Sequence, residues 1–128
     1  MKFLFVLLTV FACSGSAFSQ ANNNKGKKIL RHVVIFKFKD SSSEADIKKV
    51  ATTFAALYGK VPQVKAFEWG VNNSPENLNQ GFTHCFMLTF SSEKDLASYQ
   101  LHPAHKGFQM VLNPHMDKVF VVDYWVKK

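Results

Sequence analysis

The stretch Lys118–Val126 constrains this chain more than any other, because it is apolar on both faces of the strand it reads as. Val119-Phe120-Val121-Val122 and Tyr124-Trp125-Val126 are interrupted by Asp123 alone. β-Branched and aromatic residues in a run of this length favour a strand. A strand that is greasy on both sides needs cover on both, so helices are expected on one sheet face and a further apolar surface on the other. Asp123 is a costly insertion there, because an unpaired carboxylate in such surroundings loses several kcal/mol; it therefore requires a partner.

The rest of the chain supplies the missing layers. Arg31–Lys39 reads as a strand with His32, Val34, Phe36 and Phe38 on one face and Val33, Ile35, Lys37 and Lys39 on the other. Ser41-Ser42-Ser43-Glu44 predicts a capping box, with Ser41 as cap and Glu44 reaching back. Ile47, Val50, Ala51, Phe54, Leu57 and Tyr58 follow at helical spacing until Gly59 and Pro62 stop the helix. Val64–Val71 is a second strand, and Asn72 to Gly81 a polar connection of about ten residues, long enough for a hairpin to suggest a function. Phe82–Phe90 is a third strand, with His84 among Phe82, Phe86, Leu88 and Phe90 on one face. Ser91 or Ser92 caps a helix that ends near Leu101, and His102-Pro103 begins another that runs to Asn113-Pro114.

Strand, helix, strand, strand, helix, strand is the split β-α-β order. It predicts an α+β, ferredoxin-like domain with a four-stranded antiparallel sheet and helices on one face. The uncovered face carries too many apolar residues to stay wet, so a homodimer through the open sheet face is expected. Lys37 and Lys39 limit how complete that cover is.

The 128 residues leave room for one domain. Met1-Lys2, the apolar run Phe3–Ala12 and the small-residue site Ala17-Phe18-Ser19 read as a secretory signal over residues 1–19. This run falls short of the ~20 residues that span a bilayer, so no stable membrane insertion is expected after cleavage. A lipid-modified Cys13 is the rival reading. Residues 20–30 form a polar linker and 31–128 the domain, which is expected to be exported, periplasmic or secreted. Cys85 is then the one cysteine of the domain, so no internal disulfide stabilises it. The net charge of +7 reads as a solvated basic surface, since the lysines lack interleaved aromatic residues; no nucleic-acid partner is expected.

Tyr99-Gln100-Leu101-His102-Pro103-Ala104-His105 places a phenol and two imidazoles within seven residues. Imidazoles exchange protons near neutral pH, but a histidine at a helix junction also serves as a cap. A zinc or copper site from His84, His102, His105 and His115 is the weakest reading, with no Cys-x-x-Cys and a proline between two of the four. Neither a metal nor a cofactor is expected.

These segments together resemble the stress-responsive α/β-barrel (Dabb) family, which includes olivetolic acid cyclase-type dimeric barrels. The likeness is carried by Arg31-His32-Val33-Val34-Ile35-Phe36-Lys37-Phe38, Phe67-Glu68-Trp69-Gly70, Gly81-Phe82-Thr83-His84, Tyr99 through His105, and Val121-Val122-Asp123-Tyr124. It implies two ferredoxin-like subunits whose sheets pair into a barrel. It also implies His105 as the base, Tyr99 as a substrate-holding phenol, Asp123 as the carboxylate that orients the base, and His84 and His32 as further pocket histidines. Phe54, Tyr58 and Phe108 are the apolar lining expected beside them. The implied role is binding, with cyclase- or lyase-like conversion, of a small hydrophobic carbonyl or phenolic compound. The alternative is a non-catalytic stress-protection module that acts through its oligomer, with His105 and Asp123 as a buried structural pair.

Overall fold

The computed structural model describes residues 26–128, so the expected signal and Cys13 lie outside the described residues, as does most of the linker. Eight elements follow in the order β1 (Leu30–Phe38), α1 (Glu44–Ala55), α2 (Leu57–Lys60), β2 (Ala66–Val71), β3 (His84–Phe90), α3 (Glu93–Leu101), α4 (Pro103–Leu112) and β4 (Met116–Trp125). The strands form one antiparallel sheet in the order β2-β3-β1-β4, which is the ferredoxin-like arrangement. β1 begins one residue earlier than the sequence suggests, because Leu30 is a buried core residue.

β1 alternates strictly between buried and half-buried positions, so its even-numbered residues face the helices. Phe36 of β1, Phe54 of α1, Phe86 of β3 and Phe108 of α4 form the centre of the core. Phe54 stacks on Phe108 at 4.3 Å between ring centroids and lies 4.7 Å from Phe86, while Phe36 lies 5.5 Å from Phe86. One large side chain from each of four elements thus ties the helix layer to the sheet, which offset aromatic packing favours beyond simple burial.

The capping box forms two residues later than the sequence suggests. Ser43, not Ser41, caps α1, and Asp46 rather than Glu44 reaches back: the Asp46 amide donates to Ser43 Oγ at 3.2 Å and the Ser43 amide to Asp46 Oδ2 at 3.1 Å. The reason lies in the preceding turn. The Ser42 amide donates to the Lys39 carbonyl, so the chain completes this turn before a helix can start. Ser92 caps α3 through the Asp95 amide. The β2–β3 connection folds back toward β1, with Asn77, Gln80 and Gly81 all at positive φ. Gly81 has φ +82°, a conformation that favours glycine, and a Cβ there would also have to displace the end of the Lys37 side chain, 2.7 Å away.

The face away from the helices carries Val33, Ile35, Cys85, Met87, Phe120, Val122 and Tyr124, paired across the strands. Phe120 and Tyr124 are 52% and 45% exposed, an apolar surface left uncovered within one subunit. Lys37 pairs there with Asp117 at 3.1 Å.

Truncation separates these contributions. Phe54→Ala should cost about 3–5 kcal/mol and Ser43→Ala about 1 kcal/mol, read as urea-unfolding midpoints at unchanged slope. Leu78→Ala, on the exposed connection, should stay within about 0.5 kcal/mol.

Candidate functional site

The break between α3 and α4 builds the site. Pro103 cannot donate a backbone hydrogen bond, so it starts α4 at its first position. His102 is the cap of that helix: its Nδ1 accepts from the Ala104 amide at 3.0 Å. In a continuous helix the Ala104 amide would bond to the Gln100 carbonyl. Diverted to His102, it leaves that carbonyl free, and His105 Nδ1 occupies it at 3.1 Å. His102 is therefore structural, and His105 is aimed by a backbone carbonyl.

Asp123 pairs with His32, not with His105 as the resemblance implied. The two residues face each other in the β1–β4 register, with Oδ1 2.5 Å from His32 Nδ1. β4 is an edge strand, and the Asp123 side chain keeps 40% of its exposure. This lowers the burial cost that the apolar run suggested. A carboxylate and a backbone carbonyl can only accept, so His32 and His105 each carry hydrogen on Nδ1, and in the neutral form of each ring Nε2 is the acceptor.

Tyr99 lies between them, with ring centroids 5.9 Å from His32 and 4.5 Å from His105. It is fully buried, yet its hydroxyl has no hydrogen-bond partner in the protein. Burial of a hydroxyl without a partner costs roughly 1–3 kcal/mol, which the fold carries at this one phenol. The three side chains line a cavity of about 250 Å³ whose walls include Phe36, Phe54, Phe108 and Leu112. Val119 and Val121 of β4 form its outer side.

The predicted set divides accordingly. His32, Tyr99, His105, Phe54 and Phe108 come together around the cavity, and Asp123 reaches it through His32. His84 does not line it. It sits at the other end of the sheet, edge-on to Phe38 at 5.1 Å, stacked on Trp69 at 6.2 Å, and bonded to the Thr83 hydroxyl. Tyr58 is 54% exposed on α2 and also does not line the cavity. Gln100, Gln109 and Asn113 line the cavity without having been singled out; the signal for Gln100 was the proline three residues on. Among the described residues, no group of three or more His, Cys, Asp or Glu side chains converges as a metal site. A wider cavity of about 500 Å³ lies on the open face beneath the β2–β3 connection, against Ile35, Cys85 and Phe120, and holds none of these groups.

Burial lowers the pKa of His105, the Gln100 carbonyl raises it in part, and nearby His32 lowers it further; the net shift is downward. Burial alone lowers that of His84. Burial also raises the Tyr99 phenol, which stays protonated and able to donate. Both histidines should titrate below the ordinary value of 6.5 in two-dimensional NMR. The unfolded chain then takes up these protons first, so stability is full above pH 6.5 and falls as the pH drops through it. His105→Gln should flatten that decline.

Comparison with known proteins agrees with this fold. Residues 30–126 match the stress responsive A/B barrel domain family. A stress-response A/B barrel domain-containing protein of Arabidopsis thaliana, HS1, is 40% identical over 100 residues, 78% of this chain and 92% of that protein. Olivetolic acid cyclase of Cannabis sativa is 32% identical over 99 residues, 77% of this chain and 98% of the cyclase. The solved hydroxynitrile lyase of Passiflora edulis superposes with a TM-score of 0.75 at 27% identity, covering 80% of this chain and 96% of the lyase. Other solved proteins of this fold, at 24% identity or below, are described as dimeric and ferredoxin-like. With the strand order and the matched span in agreement, the chain belongs to the stress-responsive A/B barrel (Dabb) family.

Proposed function

We propose that this protein is an exported homodimer that binds a small hydrophobic carbonyl or phenolic compound in the His32–Tyr99–His105 cavity and converts it by acid–base chemistry. The observation that carries the reading is the buried, unpartnered Tyr99 hydroxyl in a cavity shared with two imidazole acceptors. A donor left unsatisfied at a cost to stability, beside two acceptors, is complementary to a ligand oxygen and a ligand proton. The volume of about 250 Å³ suits one aromatic ring with short substituents. The phenylalanine walls supply its affinity, and three polar groups its orientation.

In the proposed cycle a ligand carbonyl oxygen accepts from Tyr99. Nε2 of His105 takes the proton from the neighbouring carbon, and the charge moves onto the oxygen as an enolate held by the phenol. The proton then returns from His105 to carbon, or passes to a leaving group in a lyase-type reaction. His105 is suited to the base role because burial keeps it neutral. Asp123 fixes the His32 tautomer, so His32 offers a second acceptor at the same pole. Two relatives named for a cyclase and a lyase activity support conversion rather than binding alone. The uncovered apolar sheet face supports the dimer, and the charged head and apolar run at residues 1–12 support export.

The test is exchange of the methyl protons of acetophenone in deuterated buffer, followed by NMR. The protein should accelerate it, and His105→Ala should remove about 10²-fold or more of that rate while leaving the dimer intact by sedimentation. Tyr99→Phe should also lose the rate, yet hold or gain up to about 1 kcal/mol of stability, because it removes an unsatisfied buried group. Exchange no faster than in buffer, with His105→Ala acting mainly by lowering stability, would replace this reading with the non-catalytic protection module.

A further inference from the structure

One end of the sheet gathers the positive charge that the sequence scatters. β1 starts where β4 ends, with the Val126 amide donating to the Ile29 carbonyl at 2.9 Å. This pairing brings Lys27 and Lys28 beside Lys127 and Lys128, although about a hundred positions separate them along the chain. Gly26, Lys27, Lys28, Val126 and Lys128 line one open cleft of about 460 Å³. A Cβ at Gly26 would lie 2.6 Å from Lys128 Nζ, so the two terminal segments are in direct contact. All four lysines are exposed, and neither ion pair found among the described residues involves them. The indole of Trp125 lies 6.0 Å from Lys28 Nζ, and its own N–H donates to Glu93.

We propose that this lysine rim is a docking surface for an anionic phospholipid bilayer, held by charge and without insertion. The four lysines are compact, hydrated point charges at one end of the domain, which suits a diffuse array of lipid phosphates. A duplex would be read by arginine forks entering a groove. The arginine at this end, Arg31, has its guanidinium engaged by the Thr89 hydroxyl on the open sheet face. The rim is also where the chain enters the domain, and none of its four lysines lines the cavity. The inference is independent of what the cavity binds.

Co-sedimentation of the full chain with vesicles tests it. Vesicles of phosphatidylcholine alone report any contribution of the apolar residues 3–12. Adding phosphatidylglycerol should raise the bound fraction, and added salt should reverse the gain. The quadruple variant Lys27→Glu/Lys28→Glu/Lys127→Glu/Lys128→Glu should lose at least about tenfold of the phosphatidylglycerol-dependent affinity. A control with the same change of net charge, Lys48→Glu/Lys49→Glu/Lys60→Glu/Lys106→Glu, should keep most of it. All eight positions are exposed, so circular dichroism of both variants should match the parent. Equal loss in the control would overturn the proposal in favour of net charge alone. Absence of a phosphatidylglycerol effect on the parent, or tighter binding to a duplex DNA oligonucleotide than to the vesicles, would overturn it too.

Discussion

Contact between Phe54 and Phe108 is what the rest of this domain leans on. These rings, stacked at 4.3 Å, join the first and last helices, and Phe86 and Phe36 anchor the pair to the two central strands. A small domain without an internal disulfide among its described residues must hold its layers together by packing. Four phenylalanines from four elements do that with few rotamers to fix. Phe36, Phe54 and Phe108 also form a wall of the cavity, so the centre of stability and the floor of the site are the same side chains.

Chemistry enters where helical hydrogen bonding is interrupted. Pro103 removes one donor and His102 captures the next, so the Gln100 carbonyl becomes available to hold His105. On the sheet side the β1–β4 register sets Asp123 against His32. Both imidazoles are thus fixed in one tautomer by groups that only accept. Between them Tyr99 keeps a buried donor unsatisfied. The polarity of the pole follows from which groups are already spent.

Much of the fold was legible in the sequence, because each strand and helix carried its own period and its own stop. The order of elements fixed the topology, and His102-Pro103 lies where α3 gives way to α4; the first helix, expected to run unbroken to Gly59 and Pro62, instead breaks at Ala56, and Gly59 lies within α2. The cap of α1 was displaced because two serines before Ser43 offered equivalent chemistry, and only the turn after Lys39 decided between them. The site was partly legible. Tyr99 and His105 announced themselves through residue type and spacing. The partner of Asp123 did not, because pairing between β1 and β4 depends on register, and an apolar run on both faces leaves register unspecified. His84 shared a face with the site residues but not an end of the sheet, a distinction that alternation alone cannot make. The convergence of the four lysines was invisible for a similar reason, since it needs both chain ends in place.

β4 has a consequence for how this protein can vary. Val119, Val121 and Asp123 turn toward the cavity, while Phe120, Val122 and Tyr124 turn toward the open face. Neighbouring positions therefore answer to different selection. Substitutions at 119 and 121 can reshape what the cavity admits without altering the opposite surface, and those at 120 and 122 can do the reverse. A single insertion or deletion between Lys118 and Asp123 would exchange the two roles at once, placing the carboxylate on the wrong side of the sheet. New specificity in this strand is accessible by point substitution and closed to changes of length.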